Sequence, residues 1–129
     1  MLVNVSHSDP RLKKEIDNLV GQSFGFFKAL KMGGTGSQRL LVTNSSEAIK
    51  ALFKLDQYPD NCNIEIRPKG IIIHFRSRLE MLNWVIPETK KEIVHQGNLW
   101  RIGDGKDFIE VAGTNNRKLD SQFYHRLTS

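Results

Sequence analysis

The stretch Cys62-Asn63-Ile64-Glu65-Ile66-Arg67-Pro68-Lys69-Gly70-Ile71-Ile72-Ile73-His74-Phe75-Arg76 decides the fold. Its first half alternates. Ile64 and Ile66 point one way, and Asn63, Glu65 and Arg67 point the other, which is the period-two pattern of a half-buried strand. Pro68-Lys69-Gly70 has the chemistry of a tight turn. After it, Ile71, Ile73 and Phe75 share one face, and Ile72, His74 and Arg76 share the other. Two such runs on either side of a short turn predict an antiparallel hairpin.

Downstream the pattern continues. Leu79 to Ile86 is mostly apolar, with Trp84 near its end, and follows Arg76-Ser77-Arg78. Pro87 cannot donate to a ladder and ends or edges this strand. Lys91 to His95 carries Ile93 and Val94, Gln96-Gly97-Asn98 is a turn, and Leu99 to Ile102 returns. Gly103-Asp104-Gly105-Lys106 is a second turn before Asp107 to Val111, where Ile109 and Val111 lie opposite Phe108 and Glu110. Strands at this spacing predict a meander that curls into a partly open barrel or packs on helices. In the tail, Leu119, Phe123 and Leu127 recur every four residues. They predict a terminal helix, capped near Asn115 or Asn116, that covers an open side of the sheet.

Upstream, Asp9-Pro10 opens a helix over 10–20. Asp9 can accept from the free N–H groups, and Pro10 loses nothing at the first position. Leu12, Ile16, Leu19 and Val20 form its apolar face. Residues 22–32 stay open between strand and helix. Phe24, Phe26 and Leu30 suit alternation, Phe26, Phe27 and Leu30 suit a helix, and Gly25 disfavours a helix interior. Phenylalanines this close usually feed a core. Gly33-Gly34-Thr35-Gly36-Ser37 lacks the Lys-Ser/Thr ending and the glycine spacing of phosphate loops, and reads as a flexible connector. Arg39 to Thr43 is a short strand. Asn44 and Glu47 have the spacing of a reciprocal cap for a helix over 45–55, with Ala48, Ile49, Leu52 and Phe53 inward. Tyr58-Pro59-Asp60-Asn61 closes it. The expected fold is α+β: one domain over 1–129, with an antiparallel meander of five or six strands, or a partly open barrel, and flanking helices.

A chain of 129 residues supports one core. No apolar run approaches the roughly 20 residues needed to span a bilayer. The N-terminus has neither a basic segment nor a long apolar one, and the single Cys62 cannot form an internal disulfide. These features set the expectation of a cytoplasmic protein. The formal net charge of +5 is spread along the chain. Nucleic-acid binders concentrate such charge on one face, so nucleic acid is not the expected partner.

One set of residues could hold an anion. His74, Arg76 and Arg78 share parity if the strand runs unbroken, and Arg67 and Lys69 lie across the turn. Together they could take a phosphate, a lipid headgroup or an acidic peptide, or be a solvated sheet face. The four histidines form no metal-ligand pair at helical or strand spacing, although His74 and His95 could meet across strands. No metal or cofactor is expected. Cys62 has no neighbouring base to activate it and reads as a structural thiol. The acidic pairs Glu88/Glu92 and Asp104/Asp107 do not converge across a cleft. No residue is assigned a catalytic role.

From Glu65 to Val111 the chain resembles the strand meander of bacterial pleckstrin-homology-like domains. The carrying residues are Lys69-Gly70-Ile71-Ile72-Ile73, then Trp84-Val85-Ile86-Pro87 ending a strand, then paired hairpins and a terminal helix. Asn83-Trp84-Val85-Ile86-Pro87 is also similar to an aromatic-Trp-Val-Ile-Pro strand end found in small bacterial proteins. The helices at 10–20 and 45–55 depart from that family's order. The resemblance implies a non-catalytic domain that binds proteins, peptides or lipids. The expected function is a binding or interaction module for an anionic ligand or a protein partner, using Arg67, Lys69, His74, Arg76 and Arg78 or an exposed sheet edge. Two alternatives stand beside it. One is a small enzyme or ligand carrier with a pocket between sheet and helices, using His74, Cys62 or Tyr124. The other is a structural homodimer paired through edge strands.

Overall fold

The computed structural model describes residues 1–6, 8–53, 61–77, 80–114 and 117–129. Within them the order is β1 (Leu2–Asn4), α1 (Pro10–Val20), α2 (Phe26–Met32), β2 (Leu40–Ser45), α3 (Glu47–Phe53), β3 (Asn61–Arg67), β4 (Gly70–Ser77), β5 (Glu80–Pro87), β6 (Glu92–Gln96), β7 (Leu99–Gly103), β8 (Phe108–Gly113) and α4 (Ser121–Leu127). The eight strands make one antiparallel sheet in the order β1-β5-β4-β3-β2-β8-β7-β6. The fold is α+β, and the sheet does not close, because β1 and β6 are its edges.

The sheet must nevertheless bend round. Strands β5 and β6 are six places apart in the order, which in a flat sheet is about 29 Å at the usual strand spacing. Only residues 88–91 join them, and five extended steps from Pro87 to Glu92 reach at most about 18 Å. The same gap is crossed a second time, because Trp84 on β5 comes near Asp104 in the β7–β8 turn.

The inner face holds the main core. Ile64, Ile66, Ile71, Ile73, Phe75, Trp84, Ile86, Trp100, Ile102, Ile109 and Val111 are buried there with Leu40, Ile49 and Cys62. The alternation in β3, β4 and β8 therefore faces as the sequence predicts. Helix α4 seats Phe123 and Leu127 on this core, and Phe123 stacks on Trp100 at 6.4 Å between ring centroids. The outer face of β4 and β5 carries a second, smaller core. Ile72 and Val85 are buried against Ile16 and Val20 of α1. Ile72 thus does not lie on a wholly solvated face, because α1 covers it.

Helix α1 spans the expected residues. The Asp9 side chain accepts from the Arg11 and Leu12 amides, and Gly21 ends the helix with φ +84°. Several expectations need correction. The terminal helix starts at Ser121 rather than near Asn115 or Asn116, residues that lie outside the described ones. Asp120 caps it, accepting from the Gln122 and Phe123 amides. Asn44 belongs to β2 and donates to Glu110 at 2.9 Å, so α3 starts only at Glu47. The end of the expected helix at 54–55, and the turn at 58–60, lie outside the described residues. Gly33 to Ser37 is no loose connector throughout. The Ile66 amide donates to Thr35 O, the Ser37 amide donates to Ile64 O, and the Ser37 hydroxyl accepts from the Ile64 amide, each at 2.8 Å. Thr35 to Ser37 thus lines the free part of the β3 edge, where β2 pairs only through Leu40 and Leu41.

Candidate functional site

Polar side chains on the outer face join into one chain of contacts beside α1. Arg67 leaves β3 and donates through Nε to Glu65. Its Nη1 donates to Asp17 Oδ1 at 3.0 Å and to Gly21 O at 2.8 Å. The other oxygen of Glu65 faces His74 Nε2 at 3.0 Å, and His74 Nδ1 lies 2.8 Å from Asn83 Oδ1. The sheet register explains the meeting. His74 is directly opposite Asn83, while Glu65 is opposite Ile72, two residues back along the same face of β4. Partial burial by itself raises the Glu65 carboxyl. The hydrogen bonds from His74 and Arg67, and the charge they carry, prevail and hold it below its ordinary range.

A cleft of about 490 Å³ opens between α1, the segment before it and the outer face of the sheet. Its apolar wall is Val5, Leu12, Ile16 and Ile72, and Lys13, Asp17, Arg67 and Asn83 supply its polar part. That volume is ordinary for a small-molecule site, as is a mainly apolar lining with a few placed polar groups. Asn83 is only 8% exposed. Its amide oxygen lies on His74, and its amide nitrogen is not among the buried polar atoms left without a partner. A polar amide at the wall of a mainly apolar cleft can orient a bound molecule by a hydrogen bond.

Of the residues singled out in the sequence, Arg67 and His74 are brought together through Glu65. The Arg67 charge is matched by Glu65 and Asp17 rather than left open, and His74 faces Glu65. Lys69 is exposed in the β3–β4 turn, where its backbone amide donates to Val20 O and its carbonyl accepts from Glu88. Arg76 lies in β4 opposite Met81, and Arg78 is outside the described residues. His74 and His95 do not meet: His95 on β6 packs against Tyr124, 5.4 Å between ring centroids. Tyr124 in turn packs on Trp100. Cys62 is buried, and burial pushes its thiol up to about 12, so it carries no thiolate at neutral pH. Among the described residues, no group of three His, Cys, Asp or Glu side chains could hold a metal ion. No helix among them is long and apolar enough to cross a membrane.

Sequence reasoning missed two features. Asp17 reads as a solvated helix residue, because nothing local shows that Arg67, 50 positions away, reaches it. Helix α2 sends its phenylalanines outward. Phe26, Phe27 and Leu30 are 75%, 83% and 68% exposed, and the helix buries no residue. A signal was present in the charges: residues 18–46 hold Lys28, Lys31 and Arg39 and no Asp or Glu. Comparison of the chain with protein-family models, with curated proteins and with solved structures finds no match in any of the three.

Proposed function

We propose that the protein is a non-catalytic binding module that holds a small molecule in the cleft beneath α1. The observation that carries this reading is the cleft itself, with Asn83, nearly buried and held on His74 through its amide oxygen, in its otherwise largely apolar wall. The charges lining the cleft suit a formally neutral ligand. Asp9 and Asp17 stand against Lys13 and Arg67, and Glu65 is bound to Arg67 behind them. An apolar body against Leu12, Ile16 and Ile72, with a carbonyl oxygen accepting from Asn83, satisfies both parts of the lining. The pleckstrin-homology-like reading remains part of this proposal. What supports it is the run of hairpins from β3 to β8, followed by a terminal helix seated on Trp100.

The test is a titration with hexanamide, hexanoate and hexylammonium, followed by amide and side-chain NMR shifts. Hexanamide is expected to move the Asn83 side-chain signal together with Val5, Leu12 and Ile72, and Leu12→Trp is expected to block the change. If none of the three compounds perturbs the cleft signals, the reading fails.

A further inference from the structure

Helix α2 is a different surface with a different chemistry, and it lies outside the stretch that resembles a known domain. Seven residues, Phe26-Phe27-Lys28-Ala29-Leu30-Lys31-Met32, form two turns. At 100° per residue, Phe26, Leu30 and Phe27 fall within one arc, with Lys31 and then Lys28 next to it. Phe26 and Phe27 meet edge to face at 5.5 Å, so the two rings make one apolar knob. Lys28 also lies over Phe24, 5.3 Å from the ring centre. At the C-terminal end Arg126 of α4 donates to Gly33 O at 3.3 Å, adding a third cation beside the helix.

Three apolar side chains this exposed on one short helix need a cover. Water is a poor one, and the charges around them select another. The segment around the knob carries only positive charge, from Asp17 on one side to Glu47 on the other. A knob of aromatic and aliphatic side chains bordered by lysines fits the interface of an anionic bilayer. There, rings sit at the level of the acyl-chain boundary, and ammonium groups extend to the phosphates. We propose that α2 docks the protein on an anionic lipid surface, with Phe26, Phe27 and Leu30 inserted and Lys28 and Lys31 on the headgroups. The helix spans nothing. It lies on the surface, and one short segment gives reversible attachment rather than permanent anchoring.

Co-sedimentation with vesicles tests this, using pure phosphatidylcholine and a phosphatidylcholine/phosphatidylserine mixture, each at low and high salt. The full chain is expected to sediment with the mixed vesicles at low salt and to be released by high salt. Phe26→Ser/Phe27→Ser is expected to weaken binding roughly a hundredfold, about tenfold for each ring removed. Lys28→Glu/Lys31→Glu is expected to weaken it at least about thirtyfold, from about 1 kcal/mol for each cation lost. Both variants are expected to keep the wild-type melting temperature, because α2 contributes nothing to the core. Three results overturn the proposal: no binding to mixed vesicles, unchanged binding by both variants, or a wild-type dimer that the phenylalanine variant converts to a monomer. The last would mean that a second copy covers the knob. None of these results bears on the cleft, whose probe is hexanamide.

Discussion

At the scale of single residues, Glu65 matters most on the outer face. It accepts from Arg67 with one oxygen and faces His74 with the other, and this holds its folded carboxyl below the ordinary value of 4.5. A carboxyl lowered on folding stabilises the native state at pH above its unfolded value, and that stabilisation is lost as pH falls through the folded one. The contribution is therefore complete above about pH 4.5 and disappears on further acidification. Glu65→Gln is expected to lose about 1–3 kcal/mol at neutral pH, because Arg67 and His74 lose a shared charged partner. Urea unfolding across pH should show the variant losing less stability than wild type as pH falls below about 4.5. Glu15→Gln, on the exposed side of α1, is the control and should follow wild type. The alternation around Glu65 was legible in the sequence. The pairing was not. It depends on which strand lies beside which and on α1 docking across them, and neither is a local property of the chain.

At the scale of elements, the seat of α1 on the sheet depends on one glycine. A Cβ at Gly70 would meet the Ile86 carbonyl and would lie 2.7 Å from Val20 Cγ1, so the β3–β4 turn and the end of α1 approach too closely for any side chain. Gly70→Ala is expected to cost about 1–3 kcal/mol in urea unfolding, whereas Gly36→Ala, with open space around it, should stay within about 0.5 kcal/mol of wild type. The turn itself was readable from Pro68-Lys69-Gly70, as was α1 from Asp9-Pro10 and its apolar spacing. Helix α2 was not. Its type was open on alternation and helical spacing alike, and its three large apolar side chains suggested a core position. Hydrophobicity says that such groups seek cover, but it does not say whether the cover belongs to the same chain.

At the scale of the whole molecule, a bent sheet with a short link from β5 to β6 leaves an inner space that its own strands do not fill. Helix α4 fills it, with Phe123 against Trp100 and Leu127 in the same cluster. Lys91 in the link donates to Leu127 O at 2.8 Å and ties the helix end to the bend. Phe123→Ala is expected to cost about 3–5 kcal/mol in urea unfolding, a large share of the stability usual for a domain of this size. The antiparallel class and most strands of the meander could be read from the sequence. The strand β1 and the place of β2 between the two runs could not, because a three-residue edge segment and a bulged strand carry too little pattern.

Helix α2 is flanked by Gly25 and Gly33 and leaves no side chain in either core. What this segment touches and whether the protein folds are accordingly separate problems. Selection, or a protein engineer, can rewrite its seven residues for another surface while the rest of the molecule is left as it is.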